Sequence, residues 1–347
     1  MRKEFLPFSR PSFSEDDIQA VADVLRSGWI TTGPHAEKFE EQFSAYVEAK
    51  GSVALTSATA GMHLALKALG IGPGDEVITS SMTWVSTVNL IVLSGAKPVF
   101  ADIDKDTLMV MPDAVRQAVT DKTRLIIPVH FAGAPADMDP IRVIAADRGI
   151  PVVEDAAHAA GTEYRGRRIG STGTSIFSFH PIKNITTGEG GMLCSDDSSL
   201  LDHVRRLKFH GLGKDSFDRR TQGRAPQAEV LEPGYKYNMT DISAVLGCRQ
   251  LANLEDFNRK RKALAVQYRE QLAGIDEIIP TKDPSYPMDH AWHLFIVRLD
   301  IDRAGMDRDA FMEALKQKNI GTGLHFRAVH LQKYYRECMG LERGLLP

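Results

Sequence analysis

From residue 50 onward, short apolar runs alternate with amphipathic stretches. The runs fall at 52–56, 76–79, 98–101, 124–129, 151–154, 175–179 and 191–194. They are short, rich in β-branched residues and apolar on both alternating positions, which predicts strands buried on both faces. Helical spacing of apolar residues recurs between the earlier runs, at 61–69, 85–94, 112–119 and 140–148. Strand and helix alternating in this way predict a mostly parallel α/β sheet. A polar loop, and no helix, separates the last two runs, so those two strands are expected to be antiparallel. Upstream, Ser14 precedes Glu15, Asp16 and Asp17, apolar residues follow at Ile18, Val21 and Leu25, and Gly28 lies past the end. That is a capped helix. Downstream, the pattern predicts one long helical stretch over 240–272, a strand at 294–299 and a helix at 308–318. Residues 208–233, rich in Gly, Arg, Asp and Gln, read as a long loop of functional type.

Length and composition narrow the class. A chain of 347 residues exceeds one ordinary core. The expected division is a large domain over 1–245 and a smaller α+β domain over 246–347. Basic residues number 42 and acidic residues 45, for a net charge of −3, which argues against a general nucleic-acid binder. The basic run Arg259-Lys260-Arg261-Lys262 reads as a solvated helix face. Three widely separated cysteines, Cys194, Cys248 and Cys338, fit neither a disulfide framework nor a zinc site. The start of the chain lacks the apolar core of a signal peptide, and no apolar stretch is long enough to span a bilayer. A cytoplasmic protein with no membrane partner is the expectation.

The candidate chemistry gathers at strand ends. Lys183 follows the run at 175–179 in Ser178-Phe179-His180-Pro181-Ile182-Lys183-Asn184, ahead of the Gly-rich Gly188-Glu189-Gly190-Gly191. A lone loop lysine is ordinarily solvated, whereas a desolvated one becomes the nucleophilic amine that Schiff-base chemistry needs. Asp155 ends the run at 151–154, and ligands of α/β sheets bind beyond the carboxyl ends of strands. It is either a turn or cap residue or the partner of a protonated pyridine nitrogen. His158, one turn on, is either packed or faces a ring hydroxyl. The segment Thr56-Ser57-Ala58-Thr59-Ala60-Gly61 opens a helix with small residues, which suits either an ordinary cap or a phosphate. It lacks the glycine spacing of a dinucleotide site. Trp84, just past a strand, is either a core aromatic or a platform for a flat ring. The chain contains neither G-x-S-x-G nor H-E-x-x-H. His290 and His293 are one turn apart without an evident third ligand and read as structural, so no metal is expected.

Taken together, the chain resembles the fold-type I sugar-nucleotide aminotransferases of the DegT/StrS group over nearly its whole length. The resemblance is carried by residues 27–34 (Ser-Gly-Trp-Ile-Thr-Thr-Gly-Pro), 57–61, 154–158 (Glu-Asp-Ala-Ala-His) and 177–186, with further likeness at 207–213, 223–229, 233–238 and 324–330. It implies an aspartate-aminotransferase-like fold and pyridoxal 5'-phosphate (PLP) as cofactor. Lys183 is then the Schiff-base and proton-moving residue, Asp155 the partner of the pyridinium nitrogen, and Trp84 the ring platform. Thr59, Ala60 and Ser178 hold the phosphate, with Lys236 and Asn238 as the candidates that reach a partner subunit's site in a homodimer with shared active sites. The group's usual Gly-Tyr-Asn-Tyr-Arg is Gly-Tyr-Lys-Tyr-Asn here, so either of the two can fill that role. Trp29, Thr31, His325 and His330 are expected at the sugar nucleotide. The implied reaction moves the amino group of L-glutamate, leaving 2-oxoglutarate, to a UDP-linked 4-keto-pentose; a 4-keto-6-deoxyhexose nucleotide is the alternative. A non-catalytic PLP-binding regulator fits less well, since it would need an appended nucleic-acid-binding module or a lost lysine. Related sugar dehydratases carry histidine in place of the Schiff-base lysine, which Lys183 argues against. The group continues with another strand and helix beyond the position of Pro347, which implies a C-terminal domain cut short.

Overall fold

The computed structural model describes residues 2–213 and 229–342, together with 344 and 346. The chain opens with α1 (Glu15–Ser27) and α2 (Pro34–Val47). The first is closed by a capping box between Ser14 and Asp17 and stopped by Gly28 at φ 73°. The alternating region then gives β1 (Gly51–Leu55), α3 (Ala58–Ala68), β2 (Glu76–Ser80), α4 (Val85–Leu93), β3 (Lys97–Ala101), α5 (Pro112–Ala118), β4 (Thr123–Ile127), α6 (Met138–Ala146) and β5 (Val153–Asp155). Two short strands follow, β6 (Glu163–Tyr164) and β7 (Arg167–Arg168), then β8 (Thr174–Ser178), β9 (Gly191–Ser195) and α7 (Ser198–Leu207).

Strand order across the main sheet is β3-β2-β4-β5-β8-β9-β1, with bridges Ile126–Val152 and Val129–Asp155 joining β4 to β5. Pairs β2–β3, β2–β4 and β5–β8 are parallel, while β9 runs against both β8 and β1. The antiparallel relation expected for the last two strands is therefore present. Six strands, β1, β2, β3, β4, β5 and β8, end on one edge, and every candidate cofactor residue up to Lys183 lies at or just beyond that edge.

Neighbouring residues of each strand enter opposite cores, as the two-residue period of a strand requires. Ala54, Ile78, Ile126, Phe177 and Met192 join one cluster with Phe39, Phe43, Met138 and Ile141. Leu55, Val77, Leu125, Ile176 and Leu193 join another with Leu64, Leu66, Ile91 and Val204. The result is a sheet with helices on both faces. The sequence pattern did not single out α2 or α7. The first follows a turn-like Gly33-Pro34 directly; the second carries buried residues Leu200, Leu201, Val204 and Leu207, a helical spacing present in the sequence.

The stretch expected as one long helix over 240–272 is two helices, α8 (Asp241–Ala252) and α9 (Leu254–Leu272). Asn253, at φ −103° and ψ −2°, ends the first and begins the second, and its side chain donates to the Arg249 carbonyl at 3.1 Å. The expected division between residues 245 and 246 falls inside α8, whose Ala244 and Leu251 lie in the large core. The remaining elements are β10 (Ile278–Pro280), β11 (Met288–Asp289), β12 (Val297–Leu299), α10 (Ile301–Ala304), α11 (Arg308–Gln317) and α12 (Lys333–Met339). The strand expected at 294–299 covers only its last three residues, because Leu294 bonds instead to the Ala132 carbonyl at 3.1 Å. Of the expected loop at 208–233, residues 214–228 lie outside the described residues.

Candidate active site

The Lys183 turn is built from backbone bonds at the end of β8. Phe179 donates to Gly190 at 2.9 Å and accepts from Thr187 at 3.0 Å, while the Lys183 amide donates to His180 at 2.8 Å. Phe179 and Ile185 are buried and pin both arms of the turn. Asn184 ties it down further, donating to Asn258 at 2.6 Å and to the Ala291 carbonyl at 2.8 Å. The amine of Lys183 is pushed down from the ordinary lysine range to about 8 by burial, against the opposing pull of the Asp155 carboxylate. A substantial share of this lysine is thus uncharged at mildly alkaline pH, as a nucleophilic amine requires.

Asp155 closes β5. Its carboxylate accepts from Thr87 Oγ1 at 2.9 Å and from the Ala157 amide at 3.2 Å. Thr87 stands on the first turn of α4, so the helix that carries Trp84 also orients the carboxylate. Glu154, the adjacent strand residue, faces the other way. It is fully buried and bonded to His130 at 2.9 Å and Arg142 at 2.7 Å. Burial alone would raise its carboxyl, but the bonds and charges of His130 and Arg142 prevail and hold it below the usual range. That network fixes β5 from behind.

The phosphate-side candidates meet through Gly191. Ser178 pairs with Gly191 in the β8–β9 ladder, and a Cβ on Gly191 would lie 2.4 Å from the Ala58 amide nitrogen. Only glycine permits that approach, which sets Ser178 against the start of α3. There Thr59 is exposed, and the buried Ala60 donates to the Ser57 hydroxyl at 3.0 Å. Asn238 bridges to Leu55 on the same edge, and Thr56 donates to Tyr237 at 2.9 Å. Lys236 lies 4.4 Å over the Phe209 ring and bonds to Asn238, which in turn bonds to Thr32. Trp29 donates to the Thr32 carbonyl at 3.1 Å, and the Thr31 carbonyl accepts from Asp241 at 3.0 Å. Trp29, Thr31, Lys236 and Asn238 therefore form one group around Thr32, beside the start of α3.

The third side of the site is aromatic. Trp84 is 59% exposed, with its ring 5.7 Å from Phe326. Phe326 also lies 5.8 Å from Phe131 and 5.9 Å from His158. The His158 ring is buried, and its Nδ1 accepts from the Ala132 amide at 3.2 Å, which assigns the proton of the neutral ring to Nε2. His293 lies 4.4 Å from it and His325 6.4 Å. Burial first, and the Lys183 ammonium among the nearby charges, holds all three below the ordinary histidine range. A neutral wall of this kind leaves the amine free of added positive charge when it is protonated.

His330 is not in this group. It is buried, bonded to Ser81 and 6.4 Å from Phe100. His290 stacks on Trp292 at 4.0 Å and accepts from the Trp292 amide at 2.8 Å, a structural role. Thr87 was not singled out in the sequence, and His293 was read there as structural. A hydroxyl two residues past the Thr83–Val85 turn was the one local signal for Thr87. Among the described residues no group of three or more His, Cys, Asp or Glu side chains is arranged to hold a metal ion.

A buried amine of depressed basicity, an oriented carboxylate at a strand end, an exposed indole and a cradle at a helix start are a donor set that suits PLP. The fold and site thus define a PLP-dependent aminotransferase. Residues 11–347 match the DegT/DnrJ/EryC1/StrS aminotransferase family, and the chain belongs to it. Spr1654 of Streptococcus pneumoniae, described as a sugar aminotransferase, is 33% identical in its PLP form over 96% of this chain and 88% of its own, with a TM-score of 0.87. It has also been solved in a PMP form. DesV of S. venezuelae, in complex with a ketimine intermediate, is 34% identical over 98% of this chain and 88% of its own, at a TM-score of 0.84. Helicobacter pylori PseC, an aminotransferase involved in the biosynthesis of pseudoaminic acid, is 26% identical over 98% of this chain and 90% of its own, at 0.89. The protein is a PLP-dependent sugar aminotransferase. No helix among the described residues is long and apolar enough to cross a membrane.

Proposed function

We propose that the protein moves the amino group of L-glutamate to the 4-keto carbon of a UDP-linked pentose, yielding 2-oxoglutarate and UDP-4-amino-4-deoxy-L-arabinose. The observation that carries the catalytic half is the placement of Lys183 and Asp155 beyond the ends of the adjacent strands β8 and β5, with the Asp155 charge acting on the Lys183 amine. PLP, once bound, supplies an electron sink for the carbon that loses its proton. Lys183 anchors the cofactor and then moves that proton between the substrate carbon and the cofactor. Asp155, held by Thr87, keeps the ring nitrogen protonated. With PLP bound, His158 would offer its Nε2–H to the cofactor, Trp84 would pack on the ring, and Thr59, Ala60 and Ser178 would hold the phosphate.

The pentose reading is supported by sequence likeness at 207–213, 233–238 and 324–330. The first two of these stretches bond to each other, with His210 donating to Tyr235 at 2.7 Å and Tyr235 to Leu207 at 2.7 Å. The third carries His325 and Phe326 to the aromatic wall. Residues 223–228 of the remaining stretch lie outside the described residues. Two copies complete each other's sites, Lys236 or Asn238 of one subunit approaching the phosphate of the other. Exposed apolar residues Ile18, Leu25 and Ile30 favour such an association. Free cysteines and a nucleotide-sugar substrate suit the cytoplasm.

The test is turnover of a panel of keto-sugar nucleotides with 15N-labelled L-glutamate. The expected result is label at C4 of the pentose and ping-pong kinetics. Preference for a 4-keto-6-deoxyhexose nucleotide replaces the pentose assignment, and absence of PLP absorbance in the purified protein ends the catalytic one.

A further inference from the structure

We propose that His293 is a positioning residue of the active site, which holds His158 in its working orientation and presents its own ring nitrogens to the filled site. The inference rests on the PLP reading above and extends it to a residue with no assigned role.

His293 is 4% exposed, and neither of its ring nitrogens has a hydrogen-bond partner among the described residues. Buried polar groups are almost always paired, so an unpaired imidazole is a cost that packing alone does not explain. An apolar ring would fill the same space without that cost.

The surroundings show where the ring is held. The backbone on either side is clamped to one short loop: Ala291 donates to the Gly133 carbonyl and Leu294 to the Ala132 carbonyl, each at 3.1 Å. Arg261 reaches the His293 carbonyl at 3.2 Å. The same loop orients His158, through the Ala132 amide at 3.2 Å. Ala132 does this from φ 59°, a left-handed conformation that a residue with a Cβ adopts at a cost. Gly133, at φ 102°, admits three close backbones; a Cβ there would lie 3.0 Å from the His293 amide nitrogen and 3.1 Å from the His158 carbonyl oxygen. Two histidines from segments 135 residues apart are therefore set ring against ring, 4.4 Å between centroids and tilted by 42°, by one strained loop. The titratable groups that act on it are His158, Lys183, Arg261 and His325, and among the described residues none of them is hydrogen-bonded to its ring.

The chemistry that follows is modest and specific. The packed ring of His293 blocks rotation of His158, which keeps the Nε2–H of His158 directed at the cofactor. Its own nitrogens offer one donor and one acceptor to an oxygen-bearing ligand or to water when the site is filled.

The experiment compares full-length wild type with His293→Phe and His293→Gln. It measures the thermal midpoint of the apo-protein, the rise in that midpoint on adding PLP, and kcat and KM with L-glutamate. For His293→Phe, which keeps a ring packed on His158 and removes only the nitrogens, we expect an apo midpoint equal to or above wild type, a smaller PLP-induced rise, and a roughly tenfold loss of kcat at little-changed KM. His293→Gln, which keeps a donor and an acceptor, restores part of kcat. An apo midpoint several degrees below wild type for His293→Phe, failure to fold included, makes the residue structural and overturns the proposal. So does a PLP-induced rise and kcat equal to wild type. A wild type with no PLP-induced rise at all overturns the cofactor reading itself, and this inference with it.

Discussion

Asp155 and His325 approach one site from regions built in opposite ways. Asp155, Ser178 and Lys183 stand at the ends of strands whose backbones are paired and whose side chains enter two cores. All five residues of β2 and of β9 are buried. His293, His325 and Phe326 stand on irregular segments of the C-terminal region, where α11 buries no residue and the 19-residue α9 buries only Leu254, Asn258 and Ala265. Long-range bonds tie that region to the rest of the chain, among them Ala291 and Leu294 to the Ala132–Gly133 loop, Val329 to Ser81 at 2.9 Å, and Asn184 to Asn258 and Ala291. The difference matches the two demands of the reaction. Groups that act on the cofactor need fixed geometry, which paired strands supply. The groups we propose to meet the sugar sit on segments whose length and sequence can vary without disturbing the sheet.

The largest effect should come from the rigid side. Lys183→Ala is expected to lower kcat by about 10^3-fold or more while the thermal midpoint of the apo-protein stays near wild type. Turnover within tenfold of wild type would place the chemistry elsewhere. The pH dependence follows from the same group. Its amine is depressed to about 8, and the uncharged form is the nucleophile, so the rate of PLP capture by the apo-protein should climb as pH rises through about 8 and level off above. A stopped-flow rate flat between roughly pH 7 and pH 10 would contradict that assignment.

Gly133→Ala tests the joint between the two regions. At φ 102° and with the His293 amide 3.0 Å from the new Cβ, the substitution should cost about 1–3 kcal/mol of stability, read from the denaturant midpoint. An unchanged midpoint would mean the C-terminal segment is not locked to this loop. Thr87→Val removes the hydroxyl that orients Asp155; about tenfold in kcat with KM within twofold is the expected outcome, since a bond to a charged group is worth about 1.5–3 kcal/mol at most. The smallest effect on turnover belongs to His330→Gln. Its ring is buried against Ser81, so stability should fall by about 1 kcal/mol while steady-state rates stay within twofold. A large rise in KM for the sugar nucleotide would instead restore the substrate contact expected from sequence.

The alternating pattern made the sheet legible, and with it the strand ends where Thr59, Trp84, Asp155 and Lys183 fall. Seven apolar runs correspond to seven strands with bounds shifted by a residue or two, because burial on both faces leaves a local signature. The break at Asn253 did not show, since asparagine between two helical patterns need not interrupt either. The division of 294–299 did not show either, because Leu294 gives its amide to a loop more than 160 residues away.

By itself, then, the sequence determined the order of strands and helices and set the candidate residues Thr59, Trp84, Asp155 and Lys183 at or just past strand ends. Each of these depends on residues within about ten positions of one another, where periodicity and turn chemistry act. Tertiary structure alone decided which side chains converge: Thr87 on Asp155, Asn238 on Thr32, and His293 on His158 through a strained Ala132–Gly133 loop. Those contacts span 68, 206 and 135 residues, and no local pattern records them, because they exist only after two cores have closed and brought the chain's distant segments together.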